Sequence, residues 1–371
     1  MKKNFFLTML AAFCLAACTE TKTTTEIKVT GDLGDPKPTY LTAFGTGDSL
    51  MQAQSVEDSL VTFVVDSTEA IFVVIDRSSV SGYDTQVCTV IADGTPVEVT
   101  LKDGESEITK GSEQNMKLQE GRNQIKALNL KFDNLREEYG KLREKYGEDI
   151  PQELEEDLDK RWDAIDAEIK EAYKQIIQEN ADNLVPIYFL NKYANDLGLE
   201  FTDSFLTSYK YKDSKMLERT YKIISGEKNK QEGAEVVDFE AKDISGKECH
   251  LTDFVGKGKY VLVDFWASWC GPCKAEIPNI KANYEKYQQK GFEVVGVSLD
   301  YSHEDWEKCV QNLGITWPQV TDMENGKSPG AILYNVQYIP TTILYGPDGK
   351  VIKAYLHGEA LGQKLAEIFG E

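Results

Sequence analysis

Val261-Leu262-Val263-Asp264-Phe265-Trp266-Ala267-Ser268-Trp269-Cys270-Gly271-Pro272-Cys273-Lys274 decides how the C-terminal part of this chain folds. Tyr260–Trp266 is an almost unbroken Val/Phe/Trp-rich run, as a central strand buried on both faces requires. Residues Lys274–Lys290 read as a helix. A strand that turns into a helix sets Cys270 at the helix N-terminus. There, unpaired N–H groups and the macrodipole favour a thiolate over a thiol. Cys273 lies one turn further in, close enough to close a small disulfide ring. A dithiol so placed can cycle between oxidised and reduced forms. A lone C-x-x-C also fits zinc, so metal, redox chemistry and coincidence all stand at this point.

Working outward, Phe239–Leu251 reads as a hairpin turning at Ser245-Gly246, and Phe292–Leu299 as a second buried strand. A helix is expected over His303–Leu313. Thr341–Tyr345 and Val351–Tyr355 flank the turn Pro347-Asp348-Gly349, and Glu359–Phe369 is a closing helix. There is no second C-x-x-C and the three histidines are scattered, which argues against a metal site.

The stretch Val261–Lys274 resembles the active-site segment of thioredoxins, and the downstream run Tyr338-Ile339-Pro340-Thr341-Thr342 resembles their cis-proline loop. The resemblance implies a C-terminal α/β thioredoxin fold and a thiol-disulfide oxidoreductase without a cofactor. It assigns Cys270 as the exposed attacking thiol, with a pKa below the free-cysteine value of about 8.5. Cys273, more buried, resolves the mixed disulfide. Asp264 is expected to be buried, raised in pKa and the base for the Cys273 proton, although a purely structural hydrogen bond is its other reading. Trp269, Gly271, Pro272, Ile339 and Pro340 are the expected substrate contacts, Ile339 through its backbone. Gly271-Pro272 matches the reducing thioredoxins rather than the oxidising DsbA type.

Cys273-Lys274-Ala275-Glu276-Ile277-Pro278 is similar to the pattern of the TlpA/ResA-like reductases of cytochrome c maturation. That resemblance adds Glu276 to the site. At i+3 it shares the helix face of Cys273 and could oppose thiolate formation; a solvated surface glutamate is the alternative. Pro278 should kink the helix. Asp300–Gln337 resembles the insertion of the TlpA and redoxin groups, with Trp306, Trp317 and Pro318 packing near the site.

Lys2, Lys3 and the short apolar run Phe5–Leu15 form a targeting segment too short to span a membrane. Leu15-Ala16-Ala17-Cys18 resembles a bacterial lipobox, which implies cleavage before Cys18 and lipidation of its thiol. The expected location is the cell envelope, lipid-anchored and periplasm-facing, at the outer rather than the inner membrane. Of the remaining cysteines, Cys88, Cys249 and Cys309 read as small buried hydrophobes.

Six segments are expected: a signal peptide (1–17), a tether (18–26), an antiparallel β-sandwich (27–103), a helical hairpin and spacer (104–225), a linker (226–234) and the thioredoxin-like domain (235–371). Short β-rich runs such as Tyr40–Phe44, Leu60–Val65 and Val97–Leu101, punctuated by turns such as Asp93-Gly94, carry the β assignment. The apolar seam Ile125, Leu128, Phe132, Leu135, Tyr139, Leu142 and Tyr146, broken by Gly147 and Pro151 and resumed at Leu154, carries the hairpin. That seam also allows a homodimer. The aromatic stripe Phe132, Tyr139, Tyr146 and Trp162 reads as core packing. Residues 225–233 contain no apolar side chain and read as the linker. The overall order resembles envelope lipoproteins of Bacteroidetes labelled thiol-disulfide oxidoreductase or AhpC/TSA-family, with a DUF4369-type β domain.

The formal net charge of −21 argues against nucleic acid or an anionic membrane surface as partner. It is spread along the chain, with net −9, −7 and −7 over residues 19–104, 105–232 and 233–371, so no segment is an acidic tail. The expected function is reduction of disulfides in exported proteins, with a DsbD/CcdA-like membrane thiol donor restoring the dithiol. Three rivals stand beside it, one of them a net oxidant or isomerase, which a dithiol potential well above the thioredoxin range of about −270 mV would favour. A redoxin-type peroxidase needs Pro-x-x-x-Thr-x-x-Cys, where this chain has Val263 and Ala267 before Cys270. A binding lipoprotein would keep the dithiol as an accessory.

Overall fold

The computed structural model describes residues 22–31, 40–44, 50–55, 60–67, 70–76, 86–102 and 105–371. The expected signal peptide and Cys18 lie outside them. The chain divides into two compact units, residues 1–141 and 142–371.

In the first unit, β1 (Thr23–Gly31), β2 (Tyr40–Phe44), β3 (Leu50–Ser55), β4 (Leu60–Ser67), β5 (Ile71–Asp76), β6 (Gln86–Ala92), β7 (Val97–Lys102) and β8 (Glu105–Lys110) form two four-stranded sheets, ordered β4-β1-β7-β8 and β3-β2-β5-β6. Side chains alternate, so Ile27 and Val29, Val61 and Phe63, and Val97 and Val99 are buried on one face. Three expectations change. The strand β1 starts inside the segment read as a tether, with Thr25 already buried. β1 and β7 run parallel, where an all-antiparallel arrangement was expected. β7 reaches β1 after an excursion through the other sheet and not through a hairpin, so no turn forces it to reverse. β8 occupies the start of the segment read as helical, because a six-residue strand with a single buried side chain, Ile108, carries little pattern.

The helix α1 (Glu113–Tyr146) follows. Its first turns close the free edges of two sheets. Asn115 bonds both the N–H (2.9 Å) and the C=O (2.8 Å) of Ile91 in edge strand β6, and Gln119 accepts from the Ile108 N–H of edge strand β8 at 2.9 Å. Of the aromatic stripe expected to pack in a core, Tyr139 on this helix is 43% exposed and Trp162 in the second unit 41%.

The second unit carries α2 (Gln152–Glu179), α3 (Val185–Leu197), α4 (Leu199–Ser208) and α5 (Glu218–Lys228). It then forms a seven-stranded sheet from β9 (Glu240–Asp243), β10 (Glu248–His250), β11 (Tyr260–Trp266), β12 (Phe292–Ser298), β13 (Gln319–Thr321), β14 (Thr341–Tyr345) and β15 (Val351–Ala354). The order is β10-β9-β13-β12-β11-β14-β15. β11, β12 and β13 are parallel, and β14 joins β11 antiparallel. The strands are interleaved with α6 (Gly271–Tyr287), α7 (His303–Leu313), α8 (Pro329–Leu333) and α9 (Glu359–Phe369). Leu262 and Trp266 enter the apolar cluster on one face, with Ile277 of α6 and Leu361 of α9. Val261, Val263 and Phe265 enter the other. This two-faced burial is why β11 reads as a continuous apolar run.

The expected linker is no linker. Ser225–Lys228 finishes α5, and Lys230 is buried, its ammonium bonded to Glu227 (2.9 Å) and to the Asn335 carbonyl (3.1 Å). A run without apolar residues packs here through polar contacts, which a composition reading cannot see.

Candidate active site

Cys270 and Cys273 form a disulfide with Cα atoms 5.3 Å apart. Cys270 is the N-cap of α6, and its sulfur accepts the Cys273 N–H at 3.1 Å. The backbone therefore directs a donor at this sulfur, an arrangement that favours a thiolate over a thiol. Cys270 Sγ also lies 3.7 Å from the Ile339 carbonyl oxygen, and the Ile339–Pro340 peptide is cis. The helix, β11 and the loop before β14 thus bring together the residues that the sequence separates by almost seventy positions. Cys270, expected to be exposed, is buried at 5% exposure, against 1% for Cys273. Its neighbour Trp269 is exposed, so the loop shows solvent an indole ring and keeps most of Cys270 covered.

The loop ahead of Cys270 is clamped by Asp300. Its carboxylate accepts from the Ser268 N–H (3.0 Å), the Ser268 hydroxyl (2.5 Å) and the Ser298 hydroxyl (2.8 Å). The sequence reading passed over Asp300. Its one signal was a polar residue directly after the second buried strand.

Asp264 lies on the α6 side of the sheet, 2% exposed, and its Oδ1 has no hydrogen-bond partner. Burial, with a smaller contribution from the Glu276 carboxylate, raises its pKa from 3.8 to about 7. Across the sheet, Asp264 aligns with Gly296 and then Gln319. A Cβ on Gly296 would stand 2.3 Å from Gln319 Nε2, so glycine leaves room for that amide beside Asp264. Gln319 Oε1 accepts from Trp266 Nε1 at 3.0 Å, while its Nε2 has no partner. An unpartnered acceptor and an unpartnered donor therefore lie two strands apart on the sheet face that carries Asp264.

Glu276 is partly buried and not a freely solvated surface residue. Its Oε1 accepts from the Gly358 N–H (2.9 Å) and from Asn279 Nδ2 (2.6 Å). Asn279 also donates to the Gly358 carbonyl at 3.0 Å. This ties the start of α6 to the loop before α9 and brings His357 to the cluster. Burial pushes the His357 pKa down, the Glu276 charge opposes that shift, and Nδ1 has no partner. Scattered in sequence, His357 gave no signal of this. Pro278 lies within α6, which continues to Tyr287. Trp306 and Trp317 are buried in the same cluster as the two cysteines, as the insertion reading expects. Among the described residues no group of His, Cys, Asp or Glu could hold a metal ion.

Residues 233–354 match the AhpC/TSA family profile. The chain is 33% identical over 131 residues to the thiol-disulfide oxidoreductase ResA of Bacillus subtilis (strain 168), an alignment covering 35% of this chain and 70% of the relative. With ResA of Geobacillus thermodenitrificans (strain NG80-2) it is 36% identical over 121 residues, 33% of this chain and 67% of the relative. The chain belongs to the ResA family of thiol-disulfide oxidoreductases. Solved relatives include the thioredoxin domain of a thiol-disulfide oxidoreductase from Bacteroides vulgatus, at 32% identity over 37% of this chain and 97% of that one, with a TM-score of 0.35. A second, from Bacteroides fragilis, shares 32% identity over 36% of this chain and 98% of that one, with a TM-score of 0.34. The two ResA alignments each span about a third of this chain, and the family profile begins only at residue 233, after α5.

Proposed function

We propose that this ResA-family protein reduces disulfides of exported proteins through Cys270 and Cys273. The observations that carry the reading are a disulfide at the N-terminus of α6, the Ile339 carbonyl 3.7 Å from Cys270, and Asp264 buried on the strand that leads into the dithiol loop. In the reduced protein the Cys270 thiolate attacks one sulfur of a substrate disulfide, and the other sulfur leaves as a thiolate that takes up a proton. Asp264, ionised, accepts the proton of Cys273. The Cys273 thiolate then attacks Cys270 Sγ, re-forms the ring disulfide and expels the second substrate thiol. Two electrons and two protons pass to the substrate. A dithiol donor returns them, and a membrane protein of DsbD/CcdA type suits an exported chain. Trp269, Gly271, Pro272, Ile339 and Pro340 form the rim against which substrate lies.

The same reading places the protein at the cell envelope, lipid-anchored through Cys18 and periplasm-facing. The support is the Leu15-Ala16-Ala17-Cys18 pattern and the Thr19 that follows. It takes residues 27–103 as a DUF4369-type β-sandwich and residues 104–225 as a helical spacer whose apolar seam from Ile125 joins two copies. Thiol peroxidase activity is the second reading, favoured by the AhpC/TSA match; Val263 and Ala267 stand where a peroxidatic turn carries Pro and Thr.

The test is the Cys273→Ser variant, reduced and incubated with an envelope extract. Mixed disulfides through Cys270, released by a small thiol and absent from Cys270→Ser, are expected. If the variant captures nothing, protein disulfides are not the substrate.

A further inference from the structure

The chain carries helices ahead of the AhpC/TSA match, and one of them, α5, lines a groove that includes Trp269, the neighbour of Cys270. α5 is bolted to the segment that leads into the Ile339–Pro340 loop. A Cβ on Gly226 would stand 2.5 Å from Asn335 Cβ, so the helix backbone lies directly against Asn335. Asn335 Nδ2 donates to Glu227 (2.6 Å) and to Asn195 (2.8 Å), and Asn229 Nδ2 donates to the Leu333 carbonyl at 2.9 Å. Lys230 reaches the Tyr355 hydroxyl at 2.5 Å, and Tyr355 stacks on Tyr338 with ring centroids 6.0 Å apart. Asn335 (φ 44°) and Tyr355 (φ 61°) both hold left-handed backbone at this joint, a conformation that surrounding contacts must maintain.

This joint creates a groove of about 540 Å³ with α5 as one wall and Trp269, beside Cys270, at its end. Trp269, Tyr301 and Ile332 line it, exposed by 60%, 78% and 53%; with Tyr338 they are the most exposed large apolar side chains of the unit. The charged lining is Arg219, Lys222 and Lys327, with no carboxylate, in a chain of 62 acidic and 41 basic residues. Lys222 is shared with Glu218 at 2.7 Å; Arg219 and Lys327 make no ion pair among the described residues. Exposed aromatic and aliphatic anchors beside unpaired cations suit a polypeptide that brings apolar and acidic side chains.

We propose that this groove selects the substrate: an extended segment of another polypeptide whose disulfide-bonded cysteine is flanked by acidic residues, read by Arg219, Lys222 and Lys327 while its sulfur meets Cys270. The proposal rests on the disulfide-reductase reading above. The electron flow is unchanged, with the segment's disulfide leaving as two thiols that carry the two protons of the dithiol.

The test uses the full-length reduced protein and two synthetic peptides. Each has one cysteine held as its mixed disulfide with 2-mercaptoethanol, flanked by glutamates in one peptide and lysines in the other. Rates are normalised to reduction of hydroxyethyl disulfide, which cancels damage to the dithiol. The glutamate peptide should be preferred in kcat/KM by about fivefold or more at low salt, and the preference should fall as salt screens the groove. Arg219→Glu with Lys327→Glu should invert it, and Arg219→Ser with Lys327→Ser should flatten it. Equal rates on the two peptides, or a preference untouched by these variants, overturn the groove and leave the reductase standing. Failure to reduce any of the three disulfides overturns the reductase reading, and the groove proposal with it.

Discussion

Asp264→Asn should make the oxidised protein more stable at alkaline pH and leave its stability unchanged in acid. Burial raises the Asp264 pKa from 3.8 to about 7. A carboxyl whose folded pKa lies above its unfolded value contributes fully below the unfolded pKa, and that contribution is lost as pH rises to the folded value. At about 1.4 kcal/mol for each pH unit between those two values, the ionised carboxylate costs the folded state on the order of 4 kcal/mol above neutrality. Asparagine keeps the shape and removes the charge, and its amide lacks a partner as the protonated carboxyl does, so the gain above neutrality is on the order of 4 kcal/mol. Guanidinium unfolding followed by tryptophan fluorescence reads this directly, because Trp266, Trp306 and Trp317 all sit in the cluster with the dithiol. The variant should match wild type at about pH 4 and exceed it at about pH 8. The same substitution should slow resolution of the mixed disulfide and remove the inflection through which the wild-type rate rises at about pH 7. An identical difference at both pH values, or no gain at all, would refute the idea that a desolvated, ionisable Asp264 handles the Cys273 proton.

Two further substitutions probe the surroundings. Glu276→Gln can keep the bond from the Gly358 N–H while removing a charge that raises the Asp264 pKa, so the inflection in the pH–rate profile should move below about 7. An unmoved or raised inflection would exclude coupling of the two carboxylates. Gly226→Ala would help an exposed helix by up to about 1 kcal/mol. Here the Cβ meets Asn335 at 2.5 Å, so a loss of about 1–3 kcal/mol is expected in the same unfolding assay.

Much of the dithiol unit was legible because its signals are local. Tyr260–Trp266, Thr341–Tyr345, His303–Leu313 and Glu359–Phe369 agree with the structure residue for residue, since burial on two faces, hairpin turns and amphipathic spacing are written along the chain. β8 and β13 were missed for the opposite reason. A short edge or insertion strand is defined by its neighbour and not by its own pattern.

Residue type and spacing were enough for the dithiol and for the strand and helix that hold it, while Asp264, Glu276 and Pro340 entered as its companions through the resemblance to thioredoxins and TlpA/ResA-like reductases. Asp300, Gln319 and His357 joined them through the tertiary fold, because each acts through a contact between distant elements, and single polar residues have no periodicity to betray them. The fold also turned an apparent linker into a buried polar joint. Lys230, Glu227 and Asn335 satisfy one another's hydrogen bonds across more than a hundred residues, and no reading of composition contains that pairing. That joint sets α5 beside the active site, and so gives the helices a part in chemistry that local signals confine to the last third of the chain.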